Sequence, residues 1–336
     1  MARWKIRDLT IENQVLIAPL AGISNPAFRT IAKEFGAGLV YSEMISDKAI
    51  VYQNKKTLEM CRVEPTEHPI ALQLFGEEID SMVKAAIYLD TQTDCDIIDI
   101  NMGCPVPKIV KGSGGASLMK TPEHAAAIVK AIVAAVKKPV TCKIRIGWDN
   151  QNLSAPEMAK LLEDAGASAI AVHGRTRAAM YSGKVNLEEI AKVKAAVKIP
   201  VIGNGDIVDL KSAQEMLEKT GVDAIMVGRG ILGNPWLIEE LVAGLDGKEN
   251  ESIVTISHKF ETARKHALRL IELKGENVAM KEMRGHFAWY VSGLKHSHAV
   301  KNLISQMTDY QTFDRIVKNY ENALLNEEWS FLEKEV

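Results

Sequence analysis

Short apolar runs that end in glycine, asparagine or a charged residue recur along the first two thirds of the chain. They are "VLIAPL" (15–20), "LVYSEM" (39–44), "IALQLFG" (70–76), "DIIDINMG" (96–103), "VTCKIRIG" (140–147), "AIAVHGRT" (169–176), "VIGNGD" (201–206) and "AIMVGRG" (224–230). Each has the length and composition of a buried strand, and helix-length amphipathic segments separate most of them. The entry signals recur too. "EFGAGLV", "DAGASAI" and "KTGVDAI" put glycine between a helix and a strand, where a left-handed residue is wanted. "EHPIALQ", "KKPVTCK" and "KIPVIGN" use proline instead, which stops the helix without removing a ladder hydrogen bond.

Continuous apolar strands alternating with helices imply a parallel sheet covered by helices. Eight such units in about 250 residues match a (β/α)8 TIM barrel. An open doubly wound sheet is the competitor. It would carry G-x-G-x-x-G after its first strand, where this chain has "APLAGISNPAFR". From about residue 250 only helical periodicity remains. The expected fold is therefore α/β, a TIM-barrel catalytic domain over 1–248 followed by a smaller all-helical domain over 249–336.

With 336 residues, 47% hydrophobic, 25% charged and a net charge of −2, the chain is neither disordered nor uniformly basic, so an anionic partner must meet a local patch. The N-terminus lacks a signal-peptide core, and the longest apolar stretch, "HAAAIVKAIVAAVKKP", is interrupted by Lys130 and too short to span a bilayer. A cytoplasmic monomer without membrane association is expected. The cysteines at 61, 95, 104 and 142 have no CxxC spacing, which argues against zinc or a redox pair. No metal is expected.

A barrel of this type keeps its chemistry at the C-terminal ends of its strands. Those positions hold Pro19 and Ala21, Gln73, Asn101 and Cys104, Lys143 and Arg145, His173 and Arg175, Asn204-Gly205-Asp206, and Gly228-Arg229-Gly230. The glycine-rich ends of strands 7 and 8, with Arg229 and the helix beyond, suit a phosphate, although tight turns alone would also use glycine. Lys143 in a buried strand calls for an anion or a structural ion pair. His173 and Gln73 read equally well as core residues when taken singly. Cys104 could be a small buried hydrophobe, but the polar loop "NMGCPVPKIVKGSGGASLM" around it is unexplained by that.

The set "APLAGISNPAFR", "SEMIS", "ALQLFG", "DIIDINMGCPVPKIVKGSGGASLM", "KIRIGW", "AVHGRTRAAMYSG", "VIGNGDI" and "MVGRGILGNPW" resembles, in this order and over nearly the whole chain, the tRNA-dihydrouridine synthases, most closely their bacterial B branch. The resemblance implies an FMN-dependent barrel that reduces uridines of tRNA to 5,6-dihydrouridine, with NADPH or NADH as reductant. It implies that Pro19, Leu20 and Ala21 hold the flavin ring through backbone groups and that Gln73 and Lys143 meet its pyrimidine edge. His173, Asn204, Gly205, Asp206, Gly228 and Arg229 would bind the ribityl chain and phosphate, and Cys104 would donate the proton. A thiol of reference pKa about 8.5 is a competent acid at neutral pH. Asn101, Arg145 and Arg175 are candidate substrate contacts. The "KGSGGASL" run is expected to close over the site, offering Lys108 and Lys111 to substrate phosphates.

Residues 259–301 contain nine Lys or Arg against four Glu, an excess of +5 in an otherwise acidic chain. This suggests a phosphate-binding face including Arg284, Lys295 and Lys301 on shared helical faces, against the alternative of ordinary solvated helix surface. His296 and His298 do not have metal-pair spacing, and Phe287, Trp289 and Tyr290 read as core. Two other functions remain open: an FMN barrel acting on a small substrate such as dihydroorotate, and a non-catalytic tRNA-binding protein.

Overall fold

A computed structural model describes residues 3–112, 114–249 and 253–334, without the side chains of Lys108, Glu333 and Lys334. Two strands, β1 (Trp4–Ile6) and β2 (Leu9–Ile11), form an antiparallel hairpin. Eight more follow: β3 (Val15–Ile17), β4 (Val40–Ser46), β5 (Ile70–Phe75), β6 (Ile97–Met102), β7 (Val140–Arg145), β8 (Ala169–His173), β9 (Val201–Asn204) and β10 (Ala224–Val227). They pair in parallel in the order β3-β10-β9-β8-β7-β6-β5-β4. The Leu16–Leu39 bridge, with Ile17 N–H donating to Leu39 O at 3.0 Å, joins the two ends, so the sheet is a closed TIM-type barrel.

All eight expected strands are present, and most leave the ladder two to three residues early because their polar C-terminal residues turn into the mouth. Gly36, Gly166 and Gly221 take positive φ of 91°, 97° and 68° at the ends of the preceding helices, as their placement requires. The expected single helix between strands is replaced in two places by shorter pieces. Between β4 and β5 lie helices Asp47–Val51 and Lys55–Met60, and after β6 come Pro107–Lys111 and a 3-10 segment Gly115–Lys120 before helix Pro122–Ala135.

The barrel interior changes character along its axis. At the N-terminal end Leu16, Tyr41, Ala71, Ile97, Ala169 and Ile202 form an apolar core closed by Ile6 and Ile11 of the hairpin. Both isoleucines are fully buried, and each contributes about 1.5–3 kcal/mol relative to exposure. Toward the C-terminal end the inward positions become Gln73, Asp99, Asn101, Thr141 and Asn204, all buried.

The chain divides into two compact units, residues 1–230 with 238–249, and residues 231–237 with 250–336. The second contains helices Ile256–Lys274, Glu276–Tyr290, Ser297–Gln306 and Tyr310–Asn326. Its core is aromatic: Phe287 lies 5.9 Å from Phe260 and 5.2 Å from Phe313 between ring centroids. No helix among the described residues is long and apolar enough to cross a membrane.

Candidate active site

Strand alternation aims Gln73 of β5, Asp99 of β6 and Thr141 of β7, which are register partners, and one step further up Asn101 of β6 and Lys143 of β7, into the upper barrel interior. They form one connected network. Asp99 accepts from Thr141 Oγ1 (2.6 Å) and from Gln73 Nε2 (2.6 Å). Gln73 Oε1 accepts from Asn101 Nδ2 (2.8 Å), and Asn101 Oδ1 accepts from the backbone N–H of Cys104 (3.0 Å). The fixed direction of each donor sets the next amide, so the network ends by holding the Cys104 loop in place. Burial raises the Asp99 carboxyl to about 6, against the pull of Gln73, Thr141 and Lys143.

Cys104 is 8% exposed. Burial pushes its thiol up, while the Val106 backbone N–H, Arg145 and Lys143 act in the other direction. Gly115 closes in behind it: a Cβ there would stand 3.0 Å from Cys104 O and 3.2 Å from Cys104 Cβ, at a φ of +57°. Ala116 N–H donates to Cys104 O (3.1 Å), and Ala116 and Leu118 are buried. The described part of the expected closing run is thus a packed wall beneath the cysteine. Ser113 and the Lys108 side chain lie outside the described residues; Lys111 is exposed at the end of its short helix.

Lys143 and Arg145 leave β7 toward the mouth. Lys143 Nζ donates to Asn204 Oδ1 (3.0 Å), and burial, followed by the nearby Arg145, lowers its ammonium to about 8. Asn204 spends its amide on Met226 O (2.7 Å), so it orients the lysine. Arg145 is bound to carbonyls on three sides, Gly103 (2.8 Å), Thr176 (2.8 Å) and Met180 (2.7 Å), and ties the Cys104 loop to the loop after β8. His173 is lowered to about 2, first by burial and then by Lys143, Arg145, Arg175 and Arg229. It is a neutral imidazole ringed by cations.

Arg175 and Asp206, expected in separate roles, pair with each other: Nη2 lies 2.7 and 2.8 Å from the two carboxylate oxygens. Arg175 Nη1 remains buried without a partner. Gly205 sits at φ +125° and Asp206 at φ +54°, and a Cβ on Gly205 would overlap Val185 and come within 3.0 Å of His173 Cδ2. A Cβ on Gly228 would meet only Ala18, at 3.8 Å, and Arg229 is exposed with its guanidinium 5.0 Å from the Tyr181 ring. The helix after β9, Leu210–Thr220, is not open to a ligand at its N-terminus, because Asp209 and Ser212 cap it reciprocally. Pro19 and Leu20 are half-buried and Ala21 exposed in the loop after β3. The Leu20 N–H is committed to Ser24 Oγ (2.9 Å), which leaves the Pro19 carbonyl and the Ala21 backbone as the loop's offer to a ligand.

Four cations, Lys143, Arg145, Arg175 and Arg229, thus converge around His173, with one guanidinium nitrogen of Arg175 unsatisfied. Such a mouth fits a ligand with an anionic ring edge and a phosphate, as a flavin mononucleotide has. Sequence reasoning missed Asp99 and Thr141, which the same two-residue alternation that selects Asn101 and Lys143 would have found. It also missed Tyr181, 53% exposed between Arg145 and Arg229, for which the loop sequence carries no signal.

The expected basic face of the helical unit is not assembled as one helical face. Arg284 lies on helix Glu276–Tyr290, Lys295 in the turn that follows and Lys301 on helix Ser297–Gln306. The Arg284 guanidinium donates to Met307 O, Lys295 stands 3.6 Å from Glu327, and Lys301 is half-buried. Arg264 pairs with Asp314 and Glu321 from outside the basic stretch, and Lys274 with Glu282 within it. No group of three or more potential metal ligands occurs among the described residues.

Known proteins agree with this architecture. Among solved structures, a variant of NCR from Zymomonas mobilis superposes with a TM-score of 0.54 at 17% identity, covering 77% of this chain and 94% of that one. Morphinone reductase gives 0.52 at 15%, covering 76% and 91%. At such identities the likeness concerns the barrel fold. The sequence relatives are nearer. A "probable tRNA-dihydrouridine synthase" of Rickettsia bellii is 38% identical over 325 residues, 96% of this chain and 99% of its own. "tRNA-dihydrouridine synthase B" of Pasteurella multocida is 35% identical over 308 residues, 91% and 92%. The family model "Dihydrouridine synthase (Dus)" matches residues 16–327. With the family pattern and the cysteine-centred barrel mouth both present, the chain belongs to the dihydrouridine synthase family.

Proposed function

We propose that the protein reduces uridines of tRNA to 5,6-dihydrouridine with FMN as cofactor and NADPH or NADH as reductant. The observation that carries this reading is Cys104: a thiol kept protonated by burial, anchored through Asn101, at a mouth lined by Lys143, Arg145 and His173. Bound FMN, once reduced, supplies the hydride that uracil C6 accepts.

Cys104 delivers the proton to C5, completing reduction of the C5=C6 bond. The charge left on its sulfur is met by the Val106 N–H, Arg145 and Lys143, and solvent returns the proton between turnovers. Gln73 and Lys143 hold the pyrimidine edge of the cofactor; the Lys143 ammonium favours negative charge there, and the Asp99 contact fixes the direction of the Gln73 amide. The Pro19–Ala21 loop lines the ring. His173, the Gly205–Asp206 backbone, Gly228 and Arg229 receive the ribityl chain and phosphate, with Asn204 steering Lys143 and Asp206 steadying Arg175. On this reading the enzyme acts as a cytoplasmic monomer that needs no metal, and the helical unit contributes to tRNA binding.

The test is single-turnover reoxidation of the NADPH-reduced protein by unmodified tRNA, followed at the flavin absorbance. The wild type should purify with about one FMN per chain and yield dihydrouridine detectable by mass spectrometry of the tRNA. Cys104→Ala should retain FMN and its reduction while the tRNA step slows by about 10²–10⁴. Wild-type reoxidation in Cys104→Ala, with dihydrouridine formed, would remove the thiol from the mechanism. A protein that takes up no flavin would overturn the reading itself.

A further inference from the structure

Outside the catalytic network, at the same end of the barrel, two cations share one indole. Lys120 Nζ lies 4.0 Å from the Trp148 ring centroid and Arg177 Cζ 4.6 Å from it. Lys120 ends the 3-10 segment that follows the Cys104 loop, Trp148 follows β7, and Arg177 follows β8. The loops after β7 and β8 are joined by backbone bonds, Arg177 N–H to Gly147 O and Ala178 N–H to Trp148 O, both 2.9 Å, so the indole and the arginine are held on a fixed frame.

Neither cation forms an ion pair with a carboxylate among the described residues, and Arg177 Nε is buried without a hydrogen-bond partner. Asp149 senses the Lys120 charge but is bonded to Asn152. Two like charges on one ring repel each other. Cation–π attraction does not provide the counter-charge or the hydrogen-bond partner that the half-buried Arg177 guanidinium lacks. Anionic groups brought to this cluster would relieve both costs. In the helical unit, by contrast, Arg264 is held by Asp314 and Glu321, Lys274 by Glu282 and Arg284 by the Met307 carbonyl.

We infer that Lys120, Trp148 and Arg177 form a docking surface for the sugar–phosphate backbone of the RNA next to the uridine being reduced. The inference rests on the reading of tRNA as substrate and adds which barrel residues grip it. The three loops meet the RNA at the same barrel end as the cysteine, so phosphates held there fix how the flanking nucleotides approach the mouth.

The experiment is the affinity of the flavin-loaded protein for unmodified tRNA transcript at 50 to 200 mM KCl. Each phosphate contact contributes about 0.7–0.9 to the slope of log affinity against log salt. Lys120→Ala with Arg177→Gln should lower the slope by about two such contacts, so that the wild type loses about tenfold more affinity than the variant across that fourfold salt range. Lys120→Ala alone, on an exposed side chain that does not bear on folding, should lower it by about one. Lys137→Ala, an exposed lysine just before β7 at the opposite end of the barrel, is the control and should leave the slope unchanged. Flavin content and reduction by NADPH should be unaffected in all three. An unchanged slope in Lys120→Ala, or an equal fall in Lys137→Ala, overturns the assignment. A wild type that does not bind tRNA at all overturns the functional reading instead.

Discussion

Asp99 shows how one side chain can govern a site it does not line. It faces Thr141 with one oxygen and Gln73 with the other, and both partners are donors. An amide in its place must present an N–H to one of them. Asp99→Asn is therefore expected to destabilise the barrel by about 1–3 kcal/mol in urea unfolding. It should also free the Gln73 amide to turn, releasing Asn101 and the Cys104 loop, so that a small alkylating reagent reacts with Cys104 at a different rate than in the wild type. Equal stability and equal alkylation would show that the network merely fills space. Asn101, Gln73, Lys143 and Cys104 were all legible as candidates from their place at strand ends. The bonds among them were not, because an amide's direction is set by neighbours that come from other strands.

At the scale of elements, the strand ends and their loops do the positioning. Gly205 follows β9 at φ +125°, and a Cβ there would press on Val185 and on the His173 ring. Gly205→Ala is expected to cost about 1–3 kcal/mol of stability and, by displacing His173, to lower the FMN retained on purification. Wild-type flavin content in a folded Gly205→Ala protein would remove the β9 loop from the cofactor site. The helices after β4 and β6 are shorter and more broken than periodicity alone predicts. In both places the chain does more than return to the sheet; after β6 its irregular path builds the wall behind Cys104. The basic stretch 259–301 has the opposite lesson. Its charge was visible in sequence, but the carboxylates that hold Arg264, Asp314 and Glu321 on the last long helix, come from outside the window.

At the scale of the whole molecule, three histidines are buried among the described residues, one in the barrel and two in the helical unit. His173 is lowered to about 2 and His286 to about 4, both chiefly by burial, and His266 is lowered well below its usual range for the same reason. A depressed histidine binds its proton more readily in the unfolded chain, so the stability it lends is present above pH 6.5 and is lost as pH falls toward the folded value. Asp99, raised to about 6, acts in the opposite sense between about 4 and 6 and only partly offsets this. Stability is expected to decline from pH 6.5 downward, each net proton adding about 1.4 kcal/mol per pH unit to the slope. His286→Gln should flatten the curve of the helical unit between pH 6.5 and about 4. An acid limb of unchanged steepness, measured by urea midpoints across that range, would contradict the assignment of His286 as a buried neutral group.

The eight strands, the glycine and proline entry signals, the barrel class and the helical tail were determined by the sequence itself. These features are local or periodic: a run of apolar residues, a left-handed glycine and a helix-stopping proline act within a few residues of where they stand. The candidate list at the strand ends followed from the same periodicity. Only the tertiary structure decided that the N-terminal hairpin plugs the barrel and that Arg175 pairs with Asp206. It likewise decided that Arg145 ties two loops together through carbonyls, that Arg284 serves a helix end, and that Lys120, Trp148 and Arg177 meet. Each of these contacts joins residues far apart in the chain, and which polar group finds which partner depends on strand register and loop path, quantities that no local pattern encodes.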